Sequence, residues 1–99
     1  MNDWIKTLGL VNKAGKLITG EDNIINNIRN QKVYLVLVAN DASLNSKKKY
    51  FDKCKFYNVS VVEAGTIAQL SHAIGKENRV AIGICDRGFA KGLLAKITK

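Results

Sequence analysis

The stretch Val33-Tyr34-Leu35-Val36-Leu37-Val38-Ala39 carries no charge and no break in its apolar run. A strand with one wet face alternates apolar and polar positions, so this run reads as a central strand covered on both faces. Covering both faces takes helices, and the flanking sequence supplies them. Upstream, Ile24, Ile25 and Ile28 form one helical stripe, with Asn23, Asn26, Asn27 and Asn30 on the remaining faces. Downstream, Asn40-Asp41-Ala42-Ser43 reads as a loop. A helix from about Ser46 to Tyr57 follows, with Tyr50, Phe51, Cys54 and Tyr57 inward and Lys47, Lys48, Lys53 and Lys55 outward.

The same two periodicities continue to either end. Trp4, Ile5, Leu8 and Val11 have helical spacing behind Asp3, a candidate N-cap, and Gly15 follows the end of that helix. Leu17-Ile18-Thr19 is short and β-leaning, and Gly20 breaks it. Ser60-Val61-Val62 reads as a strand ending before Gly65. Thr66 then caps a helix with Ile67, Leu70 and Ile74 inward, which Gly75 stops. Val80 to Ile84 is the last strand, and Asp86 caps a helix burying Phe89, Leu93, Leu94 and Ile97. Strands alternating with helices predict an α/β fold. The expected form is a three-layer α/β/α sandwich on a four-stranded, largely parallel or mixed sheet.

A chain of 99 residues with 46% hydrophobic content and no proline reads as one domain spanning 1–99, with room for a single core and none for a deep catalytic cavity. The longest apolar run is far short of the ~20 residues that span a bilayer. Met1-Asn2-Asp3-Trp4 lacks the basic start and apolar stretch of a secretion signal, so a cytoplasmic location is expected. Cys54 and Cys85 fall on core faces and are expected to stay reduced. The 16 Lys and Arg against 8 Asp and Glu give a net charge of +8, which attracts phosphate polymers.

Catalytic constellations are not found. His72, the one histidine, falls on the polar side of its helix, and no Cys or Asp pairs with it by spacing. Two cysteines and one histidine do not make a zinc site, and no acidic pair stands where acid–base work needs it. No cofactor or metal is expected. The segment Gly9-Leu10-Val11-Asn12-Lys13-Ala14-Gly15-Lys16-Leu17 hints at a phosphate loop but fails. Five residues rather than four separate its glycines, Leu17 stands where a magnesium-binding hydroxyl belongs, and it leaves a helix rather than a strand.

Two places are suggestive of binding. Lys47, Lys48, Lys49, Lys53 and Lys55, less Asp52, give +4 of the net +8, and three of these lysines oppose the dipole at a helix start. In Gly20-Glu21-Asp22-Asn23-Ile24-Ile25-Asn26, a glycine ends a strand and polar side chains cluster on the first turn of a helix. Free backbone N–H groups at a helix start meet phosphates, and Asn amides both donate and accept at base edges.

Several stretches together resemble one family, the bacterial YlxQ-type proteins, relatives of the archaeal and eukaryotic ribosomal kink-turn proteins. They are Lys13-Ala14-Gly15-Lys16-Leu17-Ile18-Thr19-Gly20, the Val33–Ala39 run with Asn40-Asp41-Ala42-Ser43, and Asn45-Ser46-Lys47-Lys48-Lys49. Gln69-Leu70-Ser71-His72-Ala73-Ile74-Gly75-Lys76 and Asp86-Arg87-Gly88-Phe89-Ala90 complete the set. The resemblance implies an α/β/α sandwich that binds kink-turn RNA, a sharply bent duplex with tandem sheared G·A pairs. It implies that a Gly-x-Asn-Glu-x-x-Lys motif grips the bend at a strand-to-helix junction. On this chain Gly20 keeps the glycine, Asp22 takes the Asn place, Asn23 the Glu place and Asn26 the Lys place. The lost cation at Asn26 and the anion at Asp22 are expected to weaken binding, with Lys13 and Lys16 restoring some phosphate contact. The second contact implied is the loop Gly75-Lys76-Glu77-Asn78-Arg79, where Lys76 and Arg79 replace the family's apolar residues and hold phosphates.

The leading expectation is therefore a monomeric RNA-binding module for structured RNA, kink-turn or ribosomal, with ribosome association and no membrane. Its site residues are Lys13, Lys16, Gly20, Glu21, Asp22, Asn23, Asn26, Gly75, Lys76 and Arg79. The alternative is an interaction protein docking an acidic protein partner through the Lys47–Lys55 helix. An enzyme comes last: similar folds serve as substrate-binding appendages of RNA methyltransferases, and this chain has no room for the catalytic half.

Overall fold

A computed structural model describes residues 3–98, with Asp3 described in its backbone alone. Helix α1 (Asp3–Lys13) begins at the residue expected to cap it, and the side chain that would form the cap lies outside the described residues. Gly15, at φ +72°, turns the chain into β1 (Leu17–Ile18). Then follow α2 (Glu21–Arg29), β2 (Leu35–Val38), α3 (Leu44–Tyr57), β3 (Ser60–Glu63), α4 (Ile67–Ala73), β4 (Ala81–Ile84) and α5 (Arg87–Ile97). The alternation is the one the periodicity predicts.

Local chemistry sets the helix starts. Thr66 and Gln69 form a reciprocal capping box at α4, and Asp86 accepts from the Phe89 N–H at 2.9 Å at α5. Helix α3 starts two residues before the expected Ser46, because Ser43 takes the cap position and its hydroxyl accepts from the Ser46 N–H at 3.1 Å. Strand β2 is shorter than the apolar run that announces it. Val33 and Ala39 are buried outside its ends, and Tyr34 is exposed with the Arg87 guanidinium 5.4 Å from its ring.

The sheet order is β1-β4-β2-β3. Strand β4 runs antiparallel to both β1 and β2, and only β2 and β3 are parallel, so the sheet is mixed. The register puts Leu35, Leu37, Ile82 and Ile84 on one face, and Val36, Val38, Ala81 and Gly83 on the other. On the second face, Ile18 crowds Gly83: a Cβ there would lie 2.9 Å from Ile18 Cγ1. Glu63, in register with Val38, pairs with Lys47 of α3 at 3.2 Å, so α3 and its neighbour α2 cover that face. Helix α1 packs against α4 and α5 on the other, completing the three-layer sandwich.

Every residue of β2 and β4 is buried, as a doubly covered strand requires. The edges differ. Strand β1 has two residues, and β3 exposes Ser60 and Glu63, both devices that blunt pairing with another chain. Cys54 is buried and Cys85 half-buried, both as free thiols raised by burial, Cys54 to about 11. Lys16 opposes the shift at Cys85. Among the described residues no helix is long and apolar enough to cross a membrane, and no cluster of three His, Cys, Asp or Glu stands ready for a metal.

Candidate nucleic-acid interface

The strand-to-helix junction depends on Gly20. Its backbone sits at φ 92°, ψ 132°, a region side-chain-bearing residues rarely occupy, and it turns the end of β1 directly into α2. Being glycine, it offers no side-chain acceptor to the first turn, so the N–H groups there have no side-chain cap. The first helical bond runs from the Ile24 N–H to the Gly20 carbonyl at 2.9 Å. Glu21 and Asp22 lie in the first turn and offset the positive helix end themselves. Glu21 is in turn held by Lys49 of α3, with Nζ 3.0 Å from Oε2.

The asparagines of α2 are partly tied to one another. Asn23 donates to the Thr19 carbonyl at 3.3 Å, and Asn27 donates to the Asn23 carbonyl at 2.7 Å and to Asn23 Oδ1 at 3.1 Å. Asn23 and Asn26 are exposed, one turn apart on the outside of α2.

The loop between α4 and β4 is shaped just as firmly. Gly75 at φ +69° and Asn78 at φ +53° bend it, and the buried Ser71 anchors it twice. The Lys76 N–H donates to the Ser71 carbonyl at 2.9 Å, and the Arg79 N–H donates to Ser71 Oγ at 2.8 Å. Lys76 and Asn78 stay exposed along a shallow hollow with Asp41 and His72. The Asp41 carboxylate is engaged structurally, accepting from the Ile67 N–H at 2.8 Å at the start of α4.

These two segments, far apart in sequence, close on one recess of about 120 Å³. Gly20, Glu21, Asn78, Arg79 and Tyr50 line it. Arg79 Nε is buried, with no protein acceptor within hydrogen-bond reach. The Tyr50 hydroxyl is pushed up to about 12 by burial first, then by the nearby Glu21 and Asp22 carboxylates. A second hollow of about 350 Å³ adjoins the first through Glu21 and holds Asp22, Asn26, Arg29, Lys49 and Lys53.

Gly20, Glu21, Asp22, Asn26 and Arg79 thus surround two adjoining hollows, while Asn23, Gly75 and Lys76 line neither. Lys13 and Lys16 line neither hollow. Lys16 faces Cys85 at the far end of β1, its carbonyl accepting from the Cys85 N–H at 2.8 Å. It lies four residues before Gly20, across the two-residue β1. Lys13 ends α1 beside Asn12, whose amide donates to the Ile74 carbonyl at 3.3 Å. Sequence reasoning missed Tyr50 and named Asn78 only as part of the Gly75–Arg79 loop. Tyr50 carries the same signal as any core aromatic, whereas Asn78 was legible as one of the few residues that tolerate a left-handed backbone.

The Lys47–Lys55 cluster does not form one face. Lys47 turns to Glu63 of β3, while Lys48, Lys49 and Lys53 line the outer groove shared with Arg29 of α2.

Comparison with known proteins agrees with this architecture. The chain is 44% identical over 93 residues to the RNA-binding protein YlxQ of Bacillus subtilis (strain 168), covering 94% of this chain and 93% of that protein. It is 51% identical over 84 residues to the RNA-binding protein YlxQ of Enterococcus faecium, covering 85% and 81%. A solved structure of a protein of unknown function from Bacillus halodurans C superposes with a TM-score of 0.96 at 39% identity over 100% of both chains. The Giardia lamblia 15.5kD RNA binding protein shares the fold, with a TM-score of 0.79 at 16% identity over 95% of this chain and 83% of that one. The profile of the ribosomal protein L7Ae/L30e/S12e/Gadd45 family matches residues 2–94, and with relatives this similar over nearly their whole length, the chain belongs to that family.

Proposed function

We propose that this protein is a cytoplasmic RNA-binding module, a single domain over 1–99, that grips a bent, structured RNA such as a kink-turn or a ribosomal RNA element. The grip lies where the Gly20–Asn26 junction meets the Gly75–Arg79 loop. The observation that carries the reading is the recess between them, which brings Arg79 of the loop against Gly20 and Glu21 of the junction. A phosphate or base oxygen entering there meets the Arg79 guanidinium, a donor of charge-assisted hydrogen bonds. The exposed Asn23 and Asn26 suit base edges, and Lys76 and Lys49 stand nearby for phosphates. Lys13 and Lys16 serve as outlying phosphate contacts rather than as part of the recess. The names of the Bacillus subtilis, Enterococcus faecium and Giardia lamblia proteins support an RNA ligand. Membership of a family with ribosomal members supports ribosome association, and binding rather than catalysis is the protein's work.

Folded RNA presents bends and unpaired bases rather than a readable major groove, so recognition here is by shape and phosphate. Glu21 and Asp22 hold two anions beside the bend and keep affinity moderate. The test is a titration of a labelled kink-turn duplex and a matched straight duplex at two salt concentrations. Preference for the bent RNA is expected, with a log–log salt slope of roughly −0.7 to −0.9 per phosphate contacted. Arg79→Ala should lose about tenfold or more, the worth of a hydrogen bond to a charged group. Equal binding to both duplexes, or a slope near zero, would sink the reading.

A further inference from the structure

Beyond the recess, a longer hollow runs along the outside of α3 against α2, with a volume of about 840 Å³. Asn45, Lys48, Lys49, Asp52, Lys53 and Phe56 recur at three- and four-residue spacing, so they form one stripe along the helix. At 1.5 Å per residue the stripe is roughly 17 Å long. Arg29 of α2 forms the opposite bank. Asp52 is the acid among these residues, and it is engaged by Lys48 at 3.3 Å in an exposed i,i+4 pair, the kind that exchanges readily for another partner. The first turn of α3 holds no acidic residue, so the helix end adds to the positive field instead of being offset.

At the far end of this charged stripe sits an aromatic ring in water. Phe56 is 79% exposed, touching Tyr57 edge-on with ring centroids 4.9 Å apart. Lysines along a groove that ends in an open aromatic ring are the two parts needed by a ligand with a charged backbone and flat bases. An acidic peptide would satisfy the lysines alone. The groove also shares Arg29, Lys49 and Lys53 with the hollow beside Asp22 and Asn26, so a strand leaving one enters the other.

We propose that the α2–α3 groove binds a short single-stranded stretch of RNA, its phosphates along Arg29, Lys48, Lys49 and Lys53 and a base stacked on Phe56. Resting on the RNA reading above, the groove extends it from the bend to the unpaired strand that flanks it. The lysines that point elsewhere, Lys47 and Lys55, take no part.

The probe is a labelled uridine heptamer, which has no bend, titrated against the intact protein. Phe56→Ala should weaken it about 5- to 150-fold, the range measured for base–aromatic stacking. The same variant should leave a blunt kink-turn duplex bound as before. Lys48→Ala with Lys53→Ala should lower the salt slope by about 1.4, at ~0.7 per single-strand phosphate. Lys47→Ala with Lys55→Ala should change little. Because Phe56 is so exposed, its loss should not move the urea midpoint. The proposal fails if Phe56→Ala leaves heptamer binding unchanged, or if removing Lys47 and Lys55 costs as much as removing Lys48 and Lys53. It also fails if a hexaglutamate peptide outbinds the heptamer, which would point to a protein partner. Failure of the bent-duplex preference would leave the heptamer readout standing, so the two readings fall separately.

Discussion

Gly20 illustrates how a single residue positions the interface. A Cβ there would meet nothing closer than Asn23 Cβ at 3.9 Å, an ordinary contact. Space therefore does not demand glycine, but the backbone does, at φ 92° and ψ 132°. Gly20→Ala should destabilise the fold by about 1–3 kcal/mol, the cost of a side chain held in such a region. Urea denaturation measures it, and an unchanged midpoint would mean the junction relaxes freely. Gly83 presents the opposite case, since its backbone is ordinary and Ile18 fills the space above it. Of these two reasons, the sequence showed only that Gly20 ends a strand; φ and crowding are properties of the folded chain.

At the scale of elements, α3 has two lives. Its inner stripe buries Tyr50 and Cys54, four residues apart, and its outer stripe forms the groove. Burial pushes the Cys54 thiol from 9.0 to about 11 and the Tyr50 hydroxyl from 10.0 to about 12. Both groups hold their proton more tightly folded than unfolded, so stability is full below pH 9 and falls as pH rises through 9–12. A hundredfold gain in proton affinity is worth at most about 3 kcal/mol for each group. Urea midpoints between about pH 8 and 11 should show the loss, and Tyr50→Phe should flatten the part above about pH 10. A midpoint constant across that range would exclude both. The helices and strands themselves were legible, because hydrophobic period survives in the linear chain. The inner and outer stripes of α3 were less so: Lys47 and Lys53 both read as outward, yet Lys47 is drawn to Glu63 by a strand that pairing, not sequence, puts beside it. That Lys13 and Lys16 do not line the recess was hidden for the same reason. Nearness along the chain is not nearness in space, and β1 stands between Lys16 and Gly20.

At the scale of the whole molecule, the large apolar side chains left in water among the described residues are dispersed. Leu10 lies on α1, Tyr34 precedes β2, and Leu44 and Phe56 mark opposite ends of α3. Scattered residues of this kind do not make a self-association surface, and both sheet edges are short or polar. Sedimentation at micromolar concentration should give a monomer without RNA; a concentration-dependent dimer would show that a face has been overlooked. The three layers were legible from the alternation of elements, but the strand order was not. Nothing local announces that β4 inserts between β1 and β2, because that choice is made by pairing across the whole chain. The insertion has a bearing on how the protein is made. Strand β2 is complete some 46 residues before Ile84 of its inner partner leaves the synthetic machinery. At about 5–20 residues per second, that leaves β2 roughly 2–9 s with the backbone N–H and C=O groups of its β4-side edge unpaired. During that interval the nascent chain is a half-built sheet, sticky along its middle, and most in need of a chaperone just before its last strand arrives.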